Sequence, residues 1–274
     1  MPAFGGEDAE SYYDEGLTAS VKGDVTRAAR FFNKAARLDK SFLAARHQLA
    51  KCYLRVGNAE QAVAMLRDVV AAKPELIPAK LDLGSALLSL GYPEEARKQF
   101  LEVAEKQPSN SRANVGLATV CFQEGNWDGA VTLAQEARVK AGDHFATLYL
   151  LGRAARLAGA VPLSSSVLEQ ADKLLEKTIE MNPEQPEGHF LRGEVAFVLE
   201  QFTKAIRYYR AADELAKTGR VYSAWGEFFG RSDIRAKWGL CLQHLGKTDM
   251  ARELGRRILK EDRKHKIGRA LADL

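Results

Sequence analysis

Cysteine is scarce in this chain, with three residues among 274. Cys52, Cys121 and Cys241 lie far apart and form no C-x-x-C pair, so neither a disulfide framework nor a zinc site is predicted. We expect all three to be small hydrophobic residues buried in a core.

Long apolar runs are also missing. No uninterrupted run approaches the roughly 20 residues that a helix needs to span a bilayer. The start, residues 1–8, is acidic and lacks the apolar core of a secretory signal, so we expect a short disordered lead. The chain is 46% hydrophobic and 28% charged, which is ordinary for a folded protein. Together these features predict a cytoplasmic protein without a membrane span.

Catalytic motifs are absent as well. Gly246-Lys247-Thr248 ends like a phosphate-binding loop, but Cys241 stands where the first glycine belongs, and a helix is predicted before it instead of a strand. The five histidines form no H-x-x-x-H pair, and there is no glycine-rich dinucleotide fingerprint. We therefore predict that the chain is not an enzyme and has no catalytic residue, metal site or cofactor.

The positive charge of the chain is concentrated near its end. The net charge is +4, and residues 252–269 alone hold eight Lys or Arg against three Asp or Glu. Basic residues at helix ends favour a soluble cap on the last helices. A patch for nucleic acid or an acidic membrane is the alternative, but no aromatic side chain in 252–270 could stack on bases.

What the chain does have is a period of 34 residues. Gly57 precedes Gly91 by this distance, and Pro74 precedes Pro108. Glycine at such positions suits a left-handed helix end, and proline ends a helix. Alanine or glycine inside the first helix of each unit lets helices approach closely. A period of this size indicates a repeat protein in which each unit packs on its neighbours.

This pattern resembles the tetratricopeptide repeat, TPR, over about residues 9–265. The resemblance implies an all-α fold, an α-solenoid coiled as a right-handed superhelix of about seven helix–turn–helix hairpins. The predicted repeats are 9–42, 43–76, 77–110, 111–144, 145–185, 186–219 and 232–265.

Two segments interrupt the period. In the repeat 145–185, the pattern predicts about seven extra residues in the turn, at 160–166, as a longer loop. Residues 220–231 form an aromatic insertion that fits no repeat position. Residues 266–274 are predicted to be a capping tail.

The resemblance also implies a binding groove, because first helices line the concave face in this family. Transferring the groove positions one by one gives a set that is apolar in its middle and basic beside it: His47, Lys51, Leu54, Arg55, Leu81, Leu88, Arg112, Val115, Phe122, Tyr149, Arg153, Arg156, Phe190, Glu194 and Phe197. Such a set suits a peptide or helix with apolar and acidic residues. The alternative is that strong curvature closes the groove and these residues are core.

The aromatic insertion offers accessory contacts through Tyr222, Trp225, Phe228 and Phe229. Two interpretations stay open: an arm that packs on the chain's own surface, or an exposed element for a partner or a second copy. The function predicted first is a non-catalytic scaffold or adaptor for a protein partner. The alternatives are a self-assembling structural protein, a subunit of a secretion, pilus or envelope assembly complex, and, least favoured, a nucleic-acid-associated adaptor.

Overall fold

The chain folds almost entirely into helices. The structure, a computed structural model, describes residues 8–224 and 227–274, apart from the side chains of 223–227. These residues form fifteen helices and one two-stranded β-hairpin, which confirms the predicted all-α repeat fold. They divide into two compact units, the first ending at Gly142 and the second beginning at Asp143.

Unit 1 is a stack of four helix pairs. Its helices are α1 (Ala9–Val21), α2 (Val25–Leu38), α3 (Leu43–Arg55), α4 (Ala59–Ala72), α5 (Ile77–Ser89), α6 (Pro93–Lys106), α7 (Ser111–Gln123) and α8 (Trp127–Ala141). From α1 to α8, each helix of the unit packs on the one before it.

Unit 2 begins with two further pairs, continues through the hairpin and ends in three helices. Its elements are α9 (Phe145–Leu157), α10 (Val161–Met181), α11 (Pro186–Val198), α12 (Phe202–Leu215), β1 (Tyr222–Ala224), β2 (Glu227–Phe229), α13 (Arg231–His244), α14 (Thr248–Glu261) and α15 (Lys266–Ala272). No helix among the described residues is long and apolar enough to cross a membrane.

Large side chains on second helices pack against glycines on first helices. The ring of Phe100 lies so close to Gly84 and Gly116 that a Cβ at either glycine would fall 2.7 or 2.6 Å from it. A single side chain of α6 therefore joins α5 and α7. Gly91 takes φ +78° at the turn before α6, a conformation that favours glycine.

The prediction of a long turn at 160–166 is wrong. Three residues separate α9 from α10, and α10 continues for 21 residues. Ser164 is buried where other repeats have alanine, and its hydroxyl donates to the carbonyl oxygen of Gly152 at 2.8 Å. Leu168 packs over the same glycine. The extra residues therefore extend the C-terminal end of α10. Seven residues are about two helical turns. Extra residues before the helical pattern and extra residues after it therefore leave the small and large side chains on the same helical face.

The C-terminal tail forms a short helix, α15, that covers the last helix pair, α13 and α14. Leu271 of α15 packs over Gly239, the place that a second-helix side chain fills in other repeats. Gly255 of α14 faces the backbone of α15, so that a Cβ there would lie 2.4 Å from the nitrogen of Ala272. This close approach explains why glycine stands at a position where the repeat pattern has a large residue.

We predict that Gly255→Ala destabilises the packing of α14 against α15 by about 1–3 kcal/mol. The added methyl group would meet backbone atoms of α15, which cannot move aside as a flexible side chain can. The measurement is urea unfolding of the variant beside the original chain. The control is the same substitution in a chain truncated before Lys266. If the substitution costs as much in the truncated chain, contact with α15 is not the cause.

Candidate functional site

The predicted groove residues fall into two classes in the structure. Four are buried, which corrects the expectation that they line an open groove: His47, Leu81, Leu88 and Phe190. Leu81, at 4% exposure, and Leu88 belong to the hydrophobic core that joins α3 to α7. The repeat positions alone cannot show this, because curvature decides how closely neighbouring first helices pack.

The exposed and half-buried members in unit 1 form a smaller set, which we call the basic surface of unit 1. Lys51 and Arg112 are exposed, and the others are half-buried: Leu54, Arg55, Val115 and Phe122. Leu54 also packs against the core of the unit. The apolar middle expected from the sequence is thus much reduced, and the basic residues remain.

A buried carboxylate ties three consecutive first helices together. Asp82 of α5 accepts hydrogen bonds from the imidazole Nε2 of His47 at 2.7 Å and from the guanidinium of Arg112 at 2.6 Å. Burial pushes the pKa of the Asp82 carboxyl upward, but these bonds outweigh burial and hold the pKa below its ordinary value. His47 and Arg112 are therefore partly structural, although the Arg112 side chain stays 56% exposed.

Lys51 and Arg55 differ from Arg112 in having no acidic partner among the described residues. They stand four residues apart on α3, so both project from the same helical face. The Nε atom of Arg55 is shielded from solvent and has no hydrogen-bond partner in the described part of the chain. Among the three cations of the basic surface of unit 1, these two are the ones that no carboxylate of the described chain neutralises.

In unit 2, Glu194 is held by the chain itself. Its carboxylate accepts from the hydroxyl of Tyr209 at 2.6 Å, from Lys237 at 2.7 Å and from the hydroxyl of Tyr149 at 3.3 Å. Burial, reinforced by the charge of Glu194, raises the pKa of Tyr209 well above its ordinary value, so the phenol stays a donor. The roles of Tyr209 and Lys237 were missed in the sequence, since neither stands at a groove position.

The predicted arginines of unit 2 are also engaged within the chain. Arg156 forms an ion pair with Glu200, and the guanidinium of Arg153 lies 5.4 Å from the ring centre of Tyr149. Phe197, another predicted groove residue, is half-buried beside Phe202. The structure therefore gives this unit fewer available contacts than the sequence suggested.

Two aromatic side chains of the insertion, Tyr222 and Phe229, pack on their own unit. Phe229 is buried and stacks on Phe190 of α11 with ring centres 3.9 Å apart, and Tyr222 stacks on Phe229 at 5.8 Å. The backbone nitrogen of Lys217 donates to the Tyr222 hydroxyl at 2.7 Å. Tyr222 and Phe229 are therefore buried, which contradicts for these two residues the interpretation of the insertion as an exposed element for a partner or a second copy.

Phe228, 42% exposed, remains on the outside of the hairpin. Trp225 lies outside the described residues.

The buried cysteines offer no nucleophile. Cys52, Cys121 and Cys241 are all buried, as predicted. Burial raises the pKa of Cys52 to about 11 and that of Cys241 to about 12, so both stay protonated thiols near neutral pH. In the described chain, no group of three or more His, Cys, Asp or Glu side chains is arranged to hold a metal ion.

Comparison with known sequences gives one consistent result. Two profiles, both described as tetratricopeptide repeat, match residues 22–80 and residues 81–145 and 166–219. Similar curated proteins are tetratricopeptide repeat protein 21A of Mus musculus, 24% identical over 66% of this chain, and tetratricopeptide repeat protein 6 of Homo sapiens, 26% identical over 69%. A TPR repeat-containing protein of Pseudomonas aeruginosa is 30% identical over 50%. The chain spans 13%, 35% and 55% of the lengths of these relatives.

Comparison with solved structures agrees on the fold. A tetratricopeptide repeat protein from Parabacteroides merdae superposes with a TM-score of 0.63, covering 98% of both chains at 12% identity. The Cut9–Hcn1 hetero-tetramer of APC/C gives 0.60 at 19% identity, over 97% of this chain and 49% of that one. MamA from Desulfovibrio magneticus gives 0.55 at 18% identity, over 64% and 98%. At these identities the likeness concerns the fold alone.

Proposed function

Since this chain belongs to the tetratricopeptide repeat family, we propose that it is a non-catalytic scaffold that binds a protein partner through the basic surface of unit 1. The ligand is a peptide or helical segment of the partner with acidic side chains and at least one apolar side chain. Repeat stacks of this kind suit such a role because successive first helices present one continuous surface.

The observation that carries the proposal is the pair of cations Lys51 and Arg55 on α3. Neither has an acidic partner among the described residues, whereas Arg112 beside Asp82 and Arg156 beside Glu200 are already paired. An acidic ligand would neutralise Lys51 and form an ion pair with the half-buried guanidinium of Arg55. Leu54 lies between Lys51 and Arg55 in the sequence and is half-buried. Its exposed part supplies apolar surface for the same ligand.

The proposal is tested by reversing both charges, Lys51→Glu with Arg55→Glu. We expect recovery of partner proteins in an affinity pull-down from the native source to fall at least about tenfold, because two charge-assisted contacts become repulsive. Circular dichroism of the variant checks that it is still folded.

A matched control keeps the change in net charge and moves it to another helix. Lys173 and Lys177 stand four residues apart on α10, are both exposed and form no ion pair with the described residues. Lys173→Glu with Lys177→Glu is expected to leave recovery of the same partner unchanged. Equal loss in both double variants would mean that net charge alone controls capture, and the proposed surface would be rejected.

The other functions considered from the sequence stay predictions. Self-assembly through the aromatic arm loses two of its candidate contacts, because Tyr222 and Phe229 pack against α11. A subunit role in an assembly complex and nucleic-acid binding by the basic end are neither favoured nor opposed by a particular contact.

A further inference from the structure

A cavity of about 250 Å³ opens between α6, α7 and α8 in unit 1. Its walls are mainly apolar and include Leu117 and Leu133, while Glu105 and Glu136 contribute carboxylates. One water molecule occupies a volume of about 30 Å³ in the liquid, so the cavity is larger than a site for a single ordered water. None of its lining residues belongs to the basic surface of unit 1.

In each of the two preceding repeats, a basic side chain stands at the position that Asn114 holds in the lining of this cavity. In the second repeat, Arg46 of α3 forms an ion pair with Asp68 of α4 at 2.6 Å. In the third repeat, Lys80 of α5 forms an ion pair with Glu102 of α6, and Lys80 is almost completely buried. A cation from the first helix thus reaches a carboxylate on the second helix in both repeats.

The fourth repeat keeps the carboxylate but not the cation. The 34-residue period places Asn114 at the position of Arg46 in the second repeat and Lys80 in the third. It places Glu136 at the position of their carboxylate partners, Asp68 and Glu102. Asn114 is shorter and donates instead to the carbonyl oxygen of Pro108 at 2.9 Å. Lys140 approaches Glu136 only to 3.8 Å and stays half exposed, so it does not replace the missing side chain.

Two further substitutions enlarge the site and add charge. Ala137 stands where the period has Val69 and Val103, which leaves more room between the helices. Glu105 stands where the preceding repeat has Ala71, which places a second carboxylate at this cavity. Both changes favour entry of a cationic group from outside.

We propose that this cavity receives a lysine or arginine side chain of a polypeptide partner, in the position that the chain's own cations fill in the two preceding repeats. The alkyl stem of that side chain packs against Leu117 and Leu133, as long basic side chains commonly do on apolar surface. Its charged head binds Glu136, with Glu105 as a second acceptor. The proposal does not depend on the basic surface of unit 1, which would attract ligands of the opposite charge.

The first test uses two blocked pentapeptides, Ala-Ala-Lys-Ala-Ala and the same peptide with norleucine in place of lysine. Each is titrated into the full ¹⁵N-labelled chain and followed by NMR. We expect saturable shifts of the Leu117 and Ala137 amides with the lysine peptide and affinity at least about tenfold weaker for norleucine, which lacks the charge. Equal affinity of the two peptides would overturn the proposal.

The second test fills the cavity from within by Asn114→Lys, which restores the residue type of the preceding repeat. The variant is expected to bind the lysine peptide at least about tenfold more weakly and to unfold at a higher urea concentration than the original chain. Adding Glu136→Gln to it is expected to abolish the gain in the unfolding midpoint. Undiminished peptide binding by Asn114→Lys would contradict the assignment.

The matched control is Asn182→Lys, which adds the same charge at an exposed position in unit 2. It is expected to leave both the affinity for the lysine peptide and the shifts at Leu117 unchanged. If Asn182→Lys weakens binding as much as Asn114→Lys does, repulsion by net charge explains the effect and the cavity is not the site.

Discussion

Replacing Phe100 by alanine is expected to lower the free energy of unfolding by about 3–5 kcal/mol, the largest effect of any single substitution proposed for this chain. Phe100 is 2% exposed, and its ring packs against Gly84 of α5 and Gly116 of α7. Glycine has no side chain to move into the space, so the substitution leaves a cavity between three helices. Urea unfolding followed by circular dichroism measures the loss.

The control for Phe100→Ala is Tyr92→Ala, which removes an aromatic ring that is about half exposed. Its expected cost is below about 1 kcal/mol, because surface substitutions rarely exceed that range. If the two substitutions cost similar amounts, the ring of Phe100 does not join the helices as the structure shows, and the packing of α6 between its neighbours would need to be revised.

Replacing Asp82 by alanine is expected to lower the free energy of unfolding by about 2–3 kcal/mol at neutral pH, since His47 and Arg112 both lose their acceptor. The expected loss is smaller than for a fully buried ion pair, because the Arg112 side chain is more than half exposed and can be hydrated. The matched control is Asp68→Ala, which breaks the pair of Asp68 with Arg46. The Asp68 side chain is 64% exposed, so the expected cost is below about 1 kcal/mol.

The contribution of Asp82 should also depend on pH in a defined direction. Its pKa in the folded chain lies below the ordinary value of 3.8, so its stabilisation is fully present above that value and is lost as the pH falls through the folded pKa. The difference in unfolding free energy between the original chain and Asp82→Asn should therefore narrow as the pH falls below about 4. A difference that widens below about pH 4 would show that Asp82 is not held as a carboxylate.

The packing of the repeats could be predicted from particular residues. Gly84 followed by Phe100 is visible in the sequence as a small residue on a first helix and a large one on a second helix. The 34-residue spacing makes each such pair a local property, since both residues belong to one hairpin. The family matches over residues 22–145 and 166–219 agree with that assignment.

The candidate site could be predicted only in part. Lys51 and Arg55 were assigned to the surface and remain there without an acidic partner among the described residues. Leu81 and Phe190 were assigned to the same groove but are buried, Phe190 under Phe229 of the hairpin. A residue's position in its own repeat does not reveal what a distant segment places on top of it.

The sequence by itself determined the helices, their pairing and the residues that let them approach, because these depend on spacings within about 34 residues. Only the tertiary structure decided where the extra residues of α10 lie, because a shift of two helical turns leaves the same face apolar.

The structure also decided which charges stay available to a partner. The sequence predicts Arg112 and Arg156 as surface cations, yet Arg112 pairs with Asp82 of α5, and Arg156 pairs with Glu200 in the turn between α11 and α12. The aromatic segment before α13 was visible in the sequence as an interruption. That it folds back onto α11 depends on contacts between residues far apart in the chain, which no local pattern contains.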